Sequence, residues 1–488
     1  MEAVYRYGCN ICTQDQLSFQ RFQDLKKKMI RVYPRIWFVL LFTVILTFRD
    51  ISANDNGLGL RPPLGWRSWN LYGANVNQSL IESIMKGMTS RKRMVNGKPT
   101  SLCDLGYCDV GLDDNWQACG SEDAAPGMHY HDKNGNPIVN TERFPSFKNM
   151  TDYAHSLGLT SGWYGNNCIC SDHCNTTEQC DMQIKQDVAA LFEYGFDAWK
   201  LDGCGGEIDL VTFNKYISEG QEKNGKSIMI ENCHWGVVPP FKPNRTEPPA
   251  EGCPWNFYRS SGDVRASFAS IIANLATVDP LHKANLSYPG CYAYPDMLQV
   301  GCAHGPGGAG DPGLNEAETR SHFGSWAIVS SPLTLSHDVL NDTVTDKIWD
   351  VITNTEVLEV NQAYFGDSGG IYDSSMEMVS LTDAHIESRR HLGAQDVITP
   401  KHQYLYKPIG SDRVAVLLMN ADNATQSLSA DFSKIPGVTC TTCDVRDIWN
   451  HKDLGTFKGS VDVNVESHDA AFLVVSPSSS SGHITTTY

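Results

Sequence analysis

The segment FDAWKLDGC, residues 196–204, decides the fold. Its apolar residues (Phe196, Ala198, Trp199, Leu201) read as a short buried strand, and Lys200 and Asp202 stand at its C-terminal end. The same kind of run recurs on both sides. Upstream are LGWRSWN (64–70), YCDVGLDD (107–114) and LTSGWYGN (159–166). Downstream are SIMIENC (227–233), YRSSGDV (258–264), YPDMLQVG (294–301) and SPLTLSHDV (331–339). Between several of them the apolar residues fall at helical spacing, as in Asp187-Val-Ala-Ala-Leu-Phe-Glu-Tyr194 and Ser325-Trp-Ala-Ile-Val329. Strands alternating with helices predict an α/β fold, a (β/α)8 TIM barrel over residues 61–366. An open doubly wound sheet shares that rhythm, but no Gly-x-Gly-x-x-Gly follows the first run.

Past Gly370 the pattern changes. HQYLYKPI (402–409), RVAVLLMNA (413–421), QSLSADF (426–432), DVRDIW (444–449), SVDVNVE (460–466) and AAFLVVS (470–476) are short, partly alternating and separated by polar turns. They predict a C-terminal antiparallel β-sandwich over 371–477, with Cys440 and Cys443 closing a tight loop. Residues 478–488 read as a polar tail.

Composition narrows the function. The chain has 488 residues, of which 41% are hydrophobic and 19% charged, enough to bury a large core. A net charge of −17 argues against nucleic acid as a partner, because phosphate contacts need clustered Lys and Arg.

The N-terminal 53 residues read as an extension and a signal peptide. Ile36–Phe48 is an uninterrupted apolar run of 13 residues, preceded by Lys26, Lys27, Lys28, Arg31 and Arg35 and followed by Ser52-Ala53. A spanning helix needs about 20 apolar residues, so a signal core fits better than an anchor. Met29 is an alternative start. On this reading the chain is exported, secreted or routed to a lysosome or vacuole, and meets a membrane only through this segment. Sequons at Asn77, Asn149, Asn175, Asn244, Asn285, Asn341 and Asn423 fit a glycoprotein. Cys9 and Cys12 precede the apolar run, and the 14 cysteines behind it are an even number in an oxidising compartment. For Cys168, Cys170, Cys174 and Cys180, disulfides therefore outrank a zinc site, since no histidine sits at finger-like spacing.

Chemistry-bearing residues gather at the ends of the barrel runs: Trp66 and Trp69, Asp113 and Asp114, Trp163 and Tyr164, Lys200 and Asp202, Arg259 and Asp263, and Asp296. Barrel active sites are built at this rim. Aromatic faces stack on sugar rings, carboxylates and lysine bind hydroxyls in fixed directions, and two further carboxylates can perform glycosidic chemistry. Phosphoryl transfer and serine hydrolysis fit less well, because Gly-x4-Gly-Lys-Ser/Thr and Gly-x-Ser-x-Gly are both missing. The glycine-rich HGPGGAGDPG (304–313) lacks P-loop spacing and reads as a rim loop. Trp66 reads as core, and His129 and His131, before the turn at Asp132–Gly135, as exposed hairpin residues.

Taken together these residues resemble the melibiase-type glycoside hydrolases, the family of α-galactosidases and α-N-acetylgalactosaminidases. The likeness runs from about Leu60 to Ser476 and its landmarks come in family order: RPPLGWRSWN, VGLDDNW, ERFPS, GLTSGWYGN, WKLDGC, YPDMLQVG, FGSWAIVSSPLTLSHDV and DVRDIWNHKDLGTF. The resemblance implies a retaining hydrolase acting on an α-galactoside oligosaccharide or glycoconjugate. Asp202 would be the nucleophile, kept ionised by cations such as Lys200, and Asp263 the acid/base, protonated at the start. Asp113 and Asp114 would bind the galactose O4 and O6 hydroxyls with Lys200 nearby. Trp69 would stack on the ring, and Tyr164, Arg259 and Asp296 would line the pocket. It further implies disulfides Cys168–Cys204 and Cys233–Cys253, and no metal or organic cofactor. It leaves the oligomeric state open, a homodimer being one option.

Two departures stand out. Ala74 and Asn115 occupy positions where the family carries a cysteine pair, so that bridge is lost as a unit. After the fifth strand α-galactosidases read Cys-Glu-Trp at the contact with the sugar's 2-substituent; here the sequence is Cys233-His234-Trp235-Gly236. His234 can hydrogen-bond a 2-hydroxyl, and its bulk disfavours an acetamide. The eight-residue insertion RKRMVNGK (91–98) is expected on an exposed helix–loop without a role. Competing readings are a related exo-glycosidase for α-N-acetylgalactosamine or β-L-arabinopyranose, and a glycan-binding barrel without turnover.

Overall fold

The computed structural model describes residues 56–165, 168–170, 172, 174, 176–204, 209–236, 253–303, 313–381 and 396–478. The signal segment, Cys9 and Cys12, the sequons at Asn175 and Asn244, nearly all of the glycine-rich run 304–313, and the tail beyond 478 lie outside the described residues.

The eight barrel runs form eight parallel strands: β1 (Leu64–Arg67), β2 (Asp109–Gly111), β3 (Thr160–Gly165), β4 (Ala198–Asp202), β5 (Met229–Cys233), β6 (Phe257–Arg259), β7 (Tyr292–Tyr294) and β8 (Leu333–Leu335). They pair in the order β8-β1-β2-β3-β4-β5-β6-β7. Across the seam, the Leu298 amide after β7 donates to the Thr334 carbonyl in β8 at 2.8 Å. β7 begins two residues earlier than YPDMLQVG suggested, so Asp296 lies in the turn after it.

Side-chain caps start the helices between the strands. Asn77, Ser146, Thr176, Asp209, Ser267 and Asn341 each accept a hydrogen bond from a first-turn amide. Asn315 and Glu318 form a reciprocal capping box ahead of helix Glu316–Ile328. Gly195 and Gly225 end two helices in the left-handed conformation (φ 83° and 64°), where a side chain would be strained.

The C-terminal region is antiparallel. A six-stranded sheet runs in the order 370–374, 402–408, 414–420, 470–477, 442–447, 452–458, and strands 426–431 and 460–465 pair separately. Strand Val414–Asn420 is buried at every position. Val414, Val416 and Leu418 face the sandwich core, while Ala415, Leu417 and Met419 face the barrel side. Helix Glu316–Ile328 lies on that second face. A Cβ on its Gly324 would meet Leu417 and Trp449 at 3.1 Å, so glycine sets the close approach.

Three expectations change. RKRMVNGK belongs to a β-hairpin, Arg93–Val95 against Lys98–Thr100, turned by Asn96-Gly97 with positive φ at both. Arg93 pairs with Asp342 and Asp346 and lies over Trp349, which ties the hairpin down. His129 is exposed as expected, but His131 is fully buried between Asp172 and Asp187, at 2.9 and 3.2 Å, because two carboxylates supply the partners a buried imidazole needs. Cys253, ahead of β6, bonds Cys291, just before β7, and Cys233 is a free buried thiol. Its place in β5 turns it toward Arg259, whose Nη1 donates to Sγ at 3.2 Å. Cys168–Cys204 and Cys440–Cys443 form as expected; Cys103–Cys108, Cys119–Cys170 and Cys174–Cys180 complete the disulfides among the described residues.

Candidate active site

A small cleft opens at the C-terminal ends of the strands. Asp202 ends β4 beneath it. Its Oδ2 accepts from the Tyr164 hydroxyl at 2.9 Å and its Oδ1 from the Gly203 amide at 2.8 Å. Lys200, two residues back on the same face of β4, donates to Asp113 Oδ2 at 2.8 Å and stands 4.0 Å from Asp202. Its ammonium sits over the Tyr164 ring, 5.4 Å from the centroid.

Asp113 and Asp114 follow β2. The Asp113 amide is held by Ser68 Oγ at 3.1 Å. Asp114 Oδ2 accepts the Cys168 and Ile169 amides at 3.1 and 3.0 Å, which couples it to the loop carrying the Cys168–Cys204 disulfide. Asn115, in a left-handed conformation at φ 79°, donates from Nδ2 to the Ala74 carbonyl at 2.7 Å. A hydrogen bond thus joins the two positions where the family's cysteine pair is missing.

On the opposite side, Arg259 ends β6 and divides Nη2 between Asp263 (2.9 Å) and Asp296 (3.2 Å). Asp296 holds φ at 90° and accepts the Val264 and Met297 amides, and its carbonyl takes the Trp326 indole N–H. Such strain in a non-glycine residue persists only where its surroundings fix it.

Asp202, Asp263, Lys200, Asp113, Asp114, Tyr164, Cys168, Arg259, Asp296 and Trp69 all line this cleft. The sequence reading did not single out Asn70, Trp235 and Met297, which line it too. Trp235 was legible only as part of Cys-His-Trp-Gly. It reaches the cleft because its backbone turns to φ 49°, and Gly236 follows at φ 72°, where a Cβ would sit 2.2 Å from the Ser260 carbonyl. His234 is buried behind this wall, packed against Gly203, and is not among the lining residues. Trp66 is core, as expected.

Burial and the nearby charges set the protonation. Burial pushes the Asp202 carboxyl above the usual range, against the pull of Lys200, Arg259 and the Tyr164 hydroxyl. Burial would also raise Asp263, but the Arg259 guanidinium outweighs it and holds that carboxyl below the usual range. Asp263's side chain is two-thirds exposed, 66%, so solvent helps its ionised form. Lys200 favours the ionised form of Asp202, but its short contact goes to Asp113, and from 4.0 Å its pull is smaller than the effect of burial. Asp114 and Asp296 are each raised to about 6, chiefly by burial. Among the described residues, Cys168, Asp202 and Cys204 are close enough to suggest a metal site, but the disulfide leaves neither sulfur as a thiolate ligand.

Comparison with known proteins agrees with this architecture. Residues 61–363 match the family described as "Alpha galactosidase A", and residues 399–475 its "C-terminal beta sandwich domain". The chain is 28% identical to the α-galactosidase of Cyamopsis tetragonoloba over 435 residues, 87% of this chain and 88% of the relative. The structure of a Saccharomyces cerevisiae α-galactosidase with raffinose superposes with a TM-score of 0.67 at 18% identity, covering 88% of this chain and 100% of that one. A β-L-arabinopyranosidase from Geobacillus stearothermophilus superposes with a TM-score of 0.65 at 18% identity, covering 87% and 98%. With a family match spanning more than half its length, and a charged cleft at the mouth of an eight-stranded parallel sheet, the chain belongs to the alpha-galactosidase A family of glycoside hydrolases.

Proposed function

We propose that this chain removes terminal α-linked galactose from oligosaccharides or glycoconjugates with retention of configuration. The observation that carries the reading is the pair Asp202, at the end of β4, and Asp263, in the loop after β6, lining one cleft together with the Lys200–Asp113 pair and an aromatic wall. Asp202 attacks the anomeric carbon and the C–O bond to the leaving group breaks. Asp263 gives its proton to the departing oxygen. The resulting β-galactosyl ester on Asp202 is then displaced by water, from which Asp263 takes a proton, and α-galactose leaves. Asp113, Asp114 and Lys200 direct the sugar hydroxyls, and Trp69 supports the ring face.

In the free site the surroundings bias each carboxyl away from the form the first step needs. Arg259 draws charge onto Asp263, while burial favours the proton on Asp202. The reactive form is Asp202 ionised with Asp263 protonated. A sugar that moves Arg259 or excludes water from Asp263 shifts the balance toward that form.

The test is the stereochemistry of turnover. Proton NMR of methyl or nitrophenyl α-galactoside hydrolysis should show α-galactose first, with β-galactose appearing only by mutarotation. Early β-galactose overturns retention. A panel of nitrophenyl α-galactoside, α-N-acetylgalactosaminide and β-L-arabinopyranoside should rank the galactoside highest in kcat/KM. Galactose binding without turnover on any of them would favour the lectin reading.

We also infer export through the N-terminal apolar segment and glycosylation in transit. Asn77, Asn149, Asn285, Asn341 and Asn423 are all exposed, and the disulfides fit an oxidising compartment. No helix among the described residues is long and apolar enough to cross a membrane. Loss of mass on treatment with an N-glycan amidase checks this inference.

A further inference from the structure

Branched apolar side chains usually fill the inside of such a barrel. Here it holds an ion pair that the proposed chemistry does not use. Arg67 on β1 and Glu231 on β5 meet across the interior, Nη1 to Oε2 at 2.6 Å, and both side chains are under one-tenth exposed. Tyr294 on β7 donates its hydroxyl to the other Glu231 oxygen. Glycine makes room for the guanidinium: a Cβ on Gly111 would fall 2.7 Å from Arg67 Nε. Glu231 is the register partner of Lys200 on the neighbouring strand. Its charge acts on Lys200, and that of Arg67 acts on Asp113. The pair Arg67–Glu231 thus adjoins the pair Lys200–Asp113 with signs alternating.

Lys200 serves two carboxylates of the site, Asp113 at 2.8 Å and Asp202 at 4.0 Å, and Glu231 is a third beside it. A buried carboxylate without a cation is costly and turns to the nearest one. Arg67 meets that demand from the other side of the barrel and leaves Lys200 for the site. We propose that Arg67 is a positioning residue: by holding Glu231 it fixes the aim of Lys200, and with it the geometry of Asp113 and the ease with which Asp202 ionises. The claim about Asp202 rests on the reading of that residue as the nucleophile. The other charges facing Asp202 are Arg259, Asp113, Asp263 and Asp296, and the neutral Tyr164 and Cys233 also face it. None of them is altered by the variants below.

The experiment compares Arg67→Met, Glu231→Gln, the double variant and Arg67→Lys, each in the full chain. It reads kcat, KM and the pH dependence of kcat/KM on nitrophenyl α-galactoside, with galactose affinity by calorimetry as a readout independent of turnover. Activity falls on the acid side as Asp202 takes up a proton. Arg67→Met frees Glu231 to compete for Lys200. It should raise KM, weaken galactose binding, lower kcat/KM by about 10²-fold as a misplacement of about 1 Å can, and move the acid limb to higher pH. Glu231→Gln removes the competitor and should move the acid limb to lower pH. The double variant should restore the wild-type limb and galactose affinity, and Arg67→Lys should stay near wild type. The proposal is overturned if the two single variants shift the limb in the same direction or not at all, or if the double variant is no better than Arg67→Met. If Arg67→Met does not fold, the sign of the Glu231→Gln shift and the behaviour of Arg67→Lys decide. A wild-type chain that cleaves no α-galactoside sinks the proposed function instead, and galactose affinity across the same variants then still tests the positioning claim.

Discussion

The inside of the barrel and the core of the C-terminal sandwich are both buried, yet they differ in how much charge they carry. Strand Val414–Asn420 and its neighbour Ala470–Pro477 bury Val414, Val416, Leu417, Leu418, Phe472 and Leu473 against apolar partners on two faces. The barrel strands instead bring Arg67, Lys200, Glu231, Arg259 and Asp202 inward. Dispersion and the hydrophobic effect stabilise the first region, at roughly 25 cal/mol per Å² of apolar surface. In the second, desolvated charges are tolerable only because each has a partner. The sandwich is thus where the chain gains stability, and the barrel mouth is where it holds fixed charges at some cost in stability.

Substitutions can break or sharpen this contrast. The largest effect is expected at Asp202. Asp202→Asn should lower turnover by roughly 10⁴-fold or more, the scale seen when a covalent nucleophile is disabled, with the melting temperature unchanged or raised. A rate within tenfold of wild type would remove Asp202 from that role. Asp263→Ala should slow hydrolysis of alkyl galactosides by about 10²–10⁴-fold and of dinitrophenyl galactoside far less, since a good leaving group needs no proton. Equal losses on both substrates would contradict acid catalysis. In the sandwich, Phe472→Ala should cost about 3–5 kcal/mol in denaturant unfolding and leave kcat per folded molecule unaltered.

The next effect runs the other way. Burial raises the Asp114 carboxyl to about 6, so its charge penalises folding at neutral pH. For a raised carboxyl the penalty is absent below the unfolded pKa of about 3.9, grows through the interval and is constant above 6. Asp114→Asn should therefore stabilise the chain by about 2–3 kcal/mol at pH 7 and by nothing at pH 3.5, with sugar binding weakened. A gain that does not depend on pH would show that the carboxylate is not paying for its burial. The smallest effect is at Asn115. Asn115→Ala removes the bond to Ala74 and places alanine in a left-handed conformation, for a loss of about 1–2 kcal/mol by thermal unfolding.

Much of this contrast could be read in the sequence. RVAVLLMNA reads as one of several short strands of a sandwich, and the barrel runs end in carboxylates where a barrel keeps its site. Asn-Gly at 96–97 is a hairpin signal, but charged flanks mask its two short strands, so the run reads as a helix–loop. His131 was misplaced for a similar reason. Its burial depends on Asp172 and Asp187, 41 and 56 residues away, and spacing carries no trace of them.

By itself the sequence determined the alternation of strands and helices and the carboxylates at the rim. Those follow from periodicity, which acts over a few residues. Only the tertiary structure decided which charges meet. It joined Arg67 to Glu231, gave Cys253 to Cys291, turned Trp235 into the cleft and let Arg259 pull charge onto Asp263. Residues far apart in the chain become neighbours when the barrel closes, and in that dry interior an electrostatic partner fixes position and protonation as composition cannot.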